Sequence, residues 1–316
     1  MRDWLLREGF DAPPLHWYVN YACRDDYGTD YRQASAWAGI HYFACRDGEA
    51  ADAAPDVVLT APEGNGWIVG RLAARLGPRV RTGAVVFAVR QARDHVAVDA
   101  WLPQENRSVR LRADQVVWAA PLFLLPHLAE GLPANLEAAV RGLSHAPWLV
   151  ANLTLREPPV PGAGAGLAWD NVLYDSPGLG YVVATHQRLG AAPAPTVLTY
   201  YRPLSEADPR RARERLLAAD RETWAREVLA DLGRAHRDLA GLTVGLDIFR
   251  HGHAMARPLP GFLARAEALA AGWGRIRFAH ADASGFSVFE EAHWQGVRAA
   301  EDTLAGLGRR PVDRLA

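Results

Sequence analysis

Lysine is absent from this sequence: all 35 side chains in the lysine-plus-arginine count are arginines. Chemistry that needs a lysine amine, such as Schiff-base formation, is therefore excluded for this chain. A GC-rich bacterial genome is the simplest explanation of the bias.

Cysteine is also scarce, with Cys23 and Cys45 the two residues of this type. Two thiols do not make a disulfide framework, and a four-ligand zinc site needs more ligands than they supply. We expect both to be buried, unreactive thiols. No apolar run approaches the ~18–20 residues of a transmembrane helix, so no membrane span is predicted. The formal charge of −1 gives no general attraction to nucleic acid or to an anionic membrane.

A secretory h-region is missing from the amino-terminal stretch, which reads Met-Arg-Asp-Trp-Leu-Leu-Arg-Glu-Gly. On this ground we expect a cytoplasmic protein. The same stretch is more typical of the interior of a helical domain than of a natural beginning. We therefore expect a longer parent protein, and the sequence does not predict the cellular compartment of that parent.

Helical and strand periods alternate along the 316 residues, 49% of which are apolar. Residues 4–46 predict aromatic-rich helices, and 56–60 predict an apolar strand. A glycine-containing turn at 61–66 and a further helix follow. From 79 to 118 apolar and polar residues alternate, which predicts a small antiparallel meander that closes with a buried strand stopped by Pro121.

The second half of the chain predicts a mixed sheet with helices. Strands are expected at 148–155, 172–174, 181–185, 197–201 and 244–249, and one long helix at about 209–234. The tail predicts a short helix near 263–270, a buried strand at 275–279, a glycine loop and a helix at about 290–307. This order indicates an α/β protein of mixed α+β type, with two interleaved domains.

A glycine turn, Gly64-Asn65-Gly66 with Gly70 one turn later, lies between a predicted strand and a predicted helix. In dinucleotide-binding turns, glycines let the backbone approach a pyrophosphate at a helix N-terminus, and an acid about 20 residues on binds the ribose. Here the spacing is G-x-G-x-x-x-G rather than G-x-G-x-x-G, and no acid follows the next strand until Asp94. We prefer a tight strand-to-helix turn and keep NAD(P) binding by the three glycines as an alternative.

The tail carries the most specific pattern. Residues 278–282 read Phe-Ala-His-Ala-Asp, a Ser/Gly loop follows, and 289–300 read Phe-Glu-Glu-Ala-His-Trp-Gln-Gly-Val-Arg-Ala-Ala. This resembles the carboxy-terminal FAD signature of the flavin amine oxidase superfamily, in which a strand ending Ala-Gly-(Asp/Glu) precedes a helix of the form Glu-x-Ala-x-x-x-Gly-x-x-Ala-Ala. The resemblance implies that Asp282 binds ribityl hydroxyls and that the backbone N–H of Phe289 meets the flavin. It also places Ala281, Val288 and Ala292 at the cofactor.

The block at 61–121 resembles the family's second FAD segment, with a glycine turn, a helix, a meander and a strand ending Ala-x-Pro. By this match the backbone of Val86 meets the adenine and Ala119 lines the nucleotide. The sequence Pro-Leu-Pro-Gly at 258–261 also resembles the family. The implied cofactor is FAD, bound non-covalently, because no cysteine lies in the matching segments.

The resemblance implies an incomplete Rossmann-like FAD/NAD(P)-binding domain interleaved with a substrate domain. The FAD-binding domain comprises a middle segment at 55–130 and a carboxy-terminal segment at 258–316. The substrate domain comprises helices at 1–54 and a mixed sheet with a helix at 131–257.

Three departures from the family pattern limit what function the resemblance implies. The amino-terminal strand–G-x-G-x-x-G–helix that holds the diphosphate has no counterpart, so the chain is expected to be a fragment. Val150 occupies the place where many family oxidases carry a lysine near the flavin. The aromatic pair that frames amine substrates is not evident, since one position falls at Val288 and the other lies near Met255. A flavin-dependent dehydrogenase or desaturase-like reaction fits as well as amine oxidation.

The pair His251 and His253 has the form of a metal site, but two histidines without a third ligand make a poor one, and no metal is expected. His253 is kept as a candidate catalytic residue on the substrate side.

Three functions stay open. The first is an oxidoreductase that transfers hydride from a small organic substrate to FAD, inactive as this chain alone. The second is a non-catalytic subunit that needs a partner chain. The third is an NAD(P)-binding protein. The oligomeric state is not predicted.

Overall fold

The structure is a computed structural model that describes residues 1–46, 61–160, 166–186, 195–206 and 208–310. Helices and strands both occur throughout the described residues, so the predicted mixed α/β class is confirmed. The predicted strand at 56–60 and the predicted boundary at 54 lie outside the described residues. None of the described helices is long and apolar enough to cross a lipid bilayer.

The helices and strands have the following bounds. The helices are α1 Arg2–Arg7, α2 Pro13–Tyr27, α3 Ala36–Ala44, α4 Gly66–Leu76, α5 Leu125–Leu128, α6 Ala134–Arg141, α7 Pro209–Ala218, α8 Arg221–Leu232, α9 Leu239–Leu242, α10 Phe262–Ala270 and α11 Phe289–Gly306. The strands are β1 Val85–Gln91, β2 Val96–Leu102, β3 Arg107–Ala113, β4 Val116–Trp118, β5 Ala129–Glu130, β6 His145–Leu155, β7 Asp170–Val172, β8 Gly180–Val183, β9 Thr196–Pro203, β10 Thr243–Ala256 and β11 Ile276–Phe278.

The chain divides into two compact units, each built from two separate stretches. Unit 1 comprises Met1–Arg75 and His145–Met255, and unit 2 comprises Leu76–Ser144 and Ala256–Ala316. The chain therefore passes from one unit to the other three times. The assignment of unit 1 to substrate binding and of unit 2 to FAD binding stays a prediction.

Unit 1 contains a five-stranded sheet in the order β10-β6-β9-β8-β7. Alternate residues of β6, from Leu149 to Leu155, are fully buried, because successive side chains of a strand point to opposite faces. They pack with Trp224 of α8 and Leu216 of α7 in one apolar cluster. The period-two pattern that predicted β6 thus identifies the face that α7 and α8 cover.

The predicted single helix at 209–234 is wrong: the structure has two helices, α7 and α8. The backbone adopts an extended conformation at Ala219 and Asp220, which interrupts the helix. The Asp220 carboxylate then accepts a hydrogen bond of 2.8 Å from the backbone N–H of Thr223, which caps α8. Aspartate is a preferred N-cap residue, but Asp220 lies in an Arg/Glu/Ala/Leu-rich stretch that is typical of one continuous helix.

Unit 2 contains the predicted antiparallel meander, in which β1 pairs with β2 and β2 with β3, while β5 adds to β1 in parallel. The strand at 116–118 does not close this meander. β4 instead pairs in parallel with β11, Val116 opposite Ile276 and Trp118 opposite Phe278. Trp118 is buried, but the side chain of Val117 is 43% exposed, so the predicted burial of this strand holds for part of it.

The two cysteines lie in different environments. Cys23, on α2, is buried, and burial raises the pKa of its thiol to about 12. Cys45, which follows α3, is exposed. The expectation of two buried thiols is therefore wrong for Cys45, because α3 ends one residue earlier and leaves it outside the packed helix face.

Candidate functional site

The carboxyl ends of β4 and β11 meet at one edge of the small parallel sheet in unit 2. The backbone N–H of Ala279 donates to the carbonyl of Trp118 at 2.9 Å, which continues the ladder to the ends of both strands. The predicted site residues Ala119 and Asp282 leave the sheet at this common edge. In open α/β sheets ligands bind outside the carboxyl ends of the strands.

Asp282 is the most constrained residue at this edge, with 2% of its surface exposed. Its Oδ2 accepts a hydrogen bond of 2.9 Å from the backbone N–H of Leu122. Its own backbone N–H donates to Nδ1 of His280 at 3.1 Å. The carboxylate is thus held between the loop after β11 and the helical turn after β4, and it caps a backbone donor besides being a candidate ligand group.

The amino terminus of α11 supplies the second part of the candidate site. Val288, the residue before the helix, is extended and 38% exposed, and no side chain caps the helix. The first backbone N–H groups of a helix have no partner within it and carry partial positive charge. Phe289 is partly buried and stacks on His293 at 6.0 Å between ring centres, while Ala292 is exposed.

The other predicted cofactor contacts fall into two settings. Ala281 is buried in the short helical turn Ala281–Ala283 that carries Asp282. Val86 lies on β1 in the meander, a different sheet from that of β4 and β11, and is 40% exposed. The ladder between β1 and β2 shifts register between Val86 and Ala88, a bulge that re-aims side chains locally.

His253 lies on β10 in unit 1, where its ring meets that of His145 edge-on at 5.9 Å. In the part of the chain that the structure describes, no group of three or more His, Cys, Asp or Glu residues could hold a metal ion. Val150, at the place of the family's lysine, lies on β6 opposite Tyr201.

Sequence reasoning missed a polar group in unit 1 where α2 meets the sheet. The hydroxyl of Tyr201 donates to Oδ1 of Asp170 at 2.9 Å. Burial raises the pKa of Asp25 on α2 to about 7, and the charges of Asp26 and Asp170 add to the shift. The sequence shows that Trp17, Tyr21 and Asp25 share one face of a helix, because they recur every four residues, but it does not show that this face is buried.

Aromatic rings cover the neighbouring part of α2. The ring of Trp17 stacks on that of Tyr21 at 5.7 Å and meets that of Tyr174 at 4.5 Å. Tyr21 belongs to a cluster with buried Trp148 and Leu179. Rings beside a carboxyl group that titrates near neutral pH make an apolar wall with one proton-exchanging group, a common composition for small-molecule sites.

His280 is the second residue that sequence reasoning missed. It lies just after β11, at the carboxyl edge of the small parallel sheet. Its side chain is 29% exposed. Because Nδ1 accepts the backbone N–H of Asp282, the neutral ring carries its proton on Nε2. The imidazole thus presents a donor at the edge where Asp282 presents an acceptor.

No protein-family profile matches the chain. A search of curated proteins finds oxidoreductase PigB from Serratia sp. (strain ATCC 39006), 27% identical over 139 residues, a match that covers 41% of this chain and 18% of PigB. Among solved structures, wild-type putrescine oxidase bound to putrescine is 18% identical, with a TM-score of 0.73 over 96% of this chain and 67% of its own. Cyclohexylamine oxidase from Brevibacterium oxydans IH-35A is 17% identical, with a TM-score of 0.69 over 97% of this chain and 67% of its own.

These similarities establish the fold. The chain has the fold of the amine oxidases over nearly its whole length, which confirms the resemblance inferred from the tail motif. It spans about two-thirds of the length of those oxidases and less than a fifth of PigB. The relatives are oxidoreductases by name, at identities where fold is shared more securely than substrate.

Proposed function

We propose that this chain is part of an FAD-dependent oxidoreductase in which unit 2 holds FAD and unit 1 holds a small organic substrate. When bound, FAD accepts a hydride from the substrate. The observation that carries the proposal is the carboxyl edge of β4 and β11, where Asp282 is fixed beside the loop that leads into α11, in a chain with the amine oxidase fold.

The residues at this edge fit part of FAD. Ribityl hydroxyls are hydrogen-bond donors, and the Asp282 carboxylate accepts hydrogen bonds at more lone pairs than the one Leu122 uses. The uncapped amino terminus of α11 favours negative charge on a neighbouring ring. The diphosphate is the part for which the sequence offers no matching G-x-G-x-x-G turn.

Unit 1 supports a substrate side with apolar walls. Trp17, Tyr21 and Tyr174 supply the rings, and Asp25 can gain or lose a proton near neutral pH. Putrescine oxidase and cyclohexylamine oxidase act on amines by name. Since Val150 stands where the resemblance expects a lysine, our proposal is hydride transfer from an organic molecule, without amine specificity.

FAD is held non-covalently in this proposal. Cys23 and Cys45 both belong to unit 1, so no thiol lies in unit 2, which contains the carboxyl edge of β4 and β11. The NAD(P) alternative at Gly64 stays a separate prediction, as does a cytoplasmic location. The strand that would have to precede Gly64 lies outside the described residues.

The test is FAD affinity in Asp282→Asn, measured by titration of the flavin-free chain. Asparagine keeps an acceptor for the N–H of Leu122, so the fold should survive, but it removes the charge from hydrogen bonds to ribityl hydroxyls. We expect affinity to fall about tenfold, and up to about a hundredfold in Asp282→Ala, which also leaves the Leu122 donor unpaired.

Asp94→Asn is the matched control, because Asp94 is an exposed carboxylate on the turn between β1 and β2, with 77% of its side chain accessible. It should bind FAD as the unchanged chain does. Equal FAD affinity in the Asp282 and Asp94 variants, with both folded by circular dichroism, would contradict the proposal.

A further inference from the structure

Arg257 is a buried guanidinium beside the candidate site, with 5% of its surface exposed. It follows β10 and precedes the Pro-Leu-Pro-Gly segment that leads to α10. Its backbone N–H donates to the carbonyl of Ser144 at 2.8 Å, and its Nη1 donates to the Ser144 hydroxyl at 3.3 Å. Backbone and side chain are thus tied to the same residue, which fixes the direction of the guanidinium.

The guanidinium of Arg257 and the carboxyl group of Asp282 line the same cavity, whose volume is about 10 Å³. Ser144, Phe262 and Gly285 are among the other residues that line it. A space of this size holds about one water molecule. The two buried side chains therefore border the same small space inside unit 2.

Opposite charges so placed stabilise one another, because the protein interior screens them far less than water does. An arginine stays protonated at every accessible pH, so it cannot escape burial by losing its proton. Removing one charge of such a pair takes away part of the compensation for burying the other.

We infer that Arg257 is a positioning residue, which keeps Asp282 ionised and oriented at the carboxyl edge of β4 and β11. Oδ2 is fixed by the N–H of Leu122, and the guanidinium that borders the same cavity favours the negative charge on the group. The consequence for FAD rests on the proposed function. The electrostatic coupling of the two side chains does not.

Two other titratable or charged groups face Asp282. His280 approaches it with Nδ1 3.3 Å from Oδ2, on the side of the β11 loop. Arg265, on α10, lines the same cavity and is partly exposed. Of the two arginines, Arg257 is the more deeply buried and so interacts with the carboxylate under less solvent screening.

The coupling is tested first without flavin, by thermal unfolding of the full chain. Arg257→Met and Asp282→Asn should each lower the melting temperature by several degrees, and the double variant should recover most of that loss, because it buries neither charge. Arg257→Lys should stay close to the unchanged chain. Additive losses in the double variant would overturn the inference.

The effect on the ligand is tested by FAD titration between pH 6 and pH 9. In Arg257→Met we expect affinity to weaken about tenfold at the acid end and to recover as pH rises, since Asp282 then takes up a proton more readily. Arg257→Lys should restore the flat profile of the unchanged chain. A merely structural role would lower affinity equally at all pH values.

Arg265→Met is the matched control, because it removes a cation from the same cavity wall. An equal pH dependence in the Arg265 and Arg257 variants would overturn the assignment to Arg257. If Asp282→Asn leaves FAD affinity unchanged while the unfolding experiment shows coupling, the proposed function fails and the coupled pair stands.

Discussion

Asp25 places an acidic group among aromatic rings on α2, and its surroundings work against ionisation. Burial, and then the charges of Asp26 and Asp170, raise its pKa from 3.8 to about 7. Well below pH 3.8 the group is protonated in both the folded and the unfolded chain. As pH rises towards 7 the unfolded chain loses this proton before the folded chain does, so stability falls across that window.

Asp25→Asn should therefore stabilise the chain at pH 8 and change little at pH 4. A shift of about three pKa units corresponds to at most about 4 kcal/mol. Because the side chain is partly exposed, we expect about 1–2 kcal/mol in the free energy of unfolding, measured with urea at the two pH values. Asp11→Asn, at an exposed carboxylate, is the control. A gain that is equal at both pH values would show that burial of the charge is not its cause.

Single residues were predictable from the sequence where a motif fixes their place. Asp282 was found because it follows a strand in a recognisable strand–loop–helix pattern. Asp25 and Arg257 were missed because their properties come from packing partners far away in the sequence, such as Asp170 and Ser144. Burial of one charged group cannot be read from its own neighbours along the chain.

At the scale of elements, Gly28 shows how tightly α2 is held against the sheet of unit 1. It ends α2 in the left-handed region, with φ of 56°. A Cβ at this position would overlap Cβ of Ala146 and lie 2.9 Å from Nε1 of Trp148. Both neighbours belong to β6, so the end of the helix lies too close to the strand for a methyl group to fit between them.

Gly28→Ala should lower the free energy of unfolding by about 2–5 kcal/mol, from about 1–2 for the positive φ and about 1–3 for overpacking. Gly9→Ala is a matched control, because Gly9 also has positive φ but no atom within 4 Å of the position of a Cβ. Gly9→Ala should lower the free energy of unfolding by the positive-φ contribution alone. Equal losses in the two variants, measured by denaturant unfolding, would show that β6 yields to the added methyl group.

Most elements could be predicted because their apolar period is local: β6, β9, α10 and α11 lie close to their expected positions. Two features were not predicted correctly: the pairing of strand β4, and the break between helices α7 and α8. β4 reads as the last strand of the meander, but its partner β11 is distant in sequence, and no local pattern shows that. The end of α7 depends on the Asp220 cap, which composition obscures.

For the molecule as a whole, we predict that this chain binds FAD weakly. The FAD diphosphate carries two negative charges, and a helix amino terminus with a glycine turn of the usual spacing holds it in other proteins. Without those charge-assisted hydrogen bonds, each worth about 1.5–3 kcal/mol, affinity falls by orders of magnitude. The purified chain should hold well under one FAD per molecule.

Riboflavin is the matched control ligand for that titration, because it keeps the ring and the ribityl chain but has no diphosphate or adenosine. The chain should bind riboflavin and FAD with similar affinity. Tight, stoichiometric FAD, with riboflavin much weaker, would show that this chain holds the diphosphate itself and would turn attention to Gly64.

The interleaving of the two units also sets an order of events during synthesis. Leu122 and Asp282, which are joined by a hydrogen bond, stand 160 positions apart, so the ribosome makes both stretches of unit 1 up to Met255 before the partner of β4 emerges. Unit 1 can fold before Phe278, which pairs with Trp118, has been synthesised. The nascent chain therefore carries a strand without its partner while about half of these 316 residues are made, which is the form of polypeptide that chaperones bind.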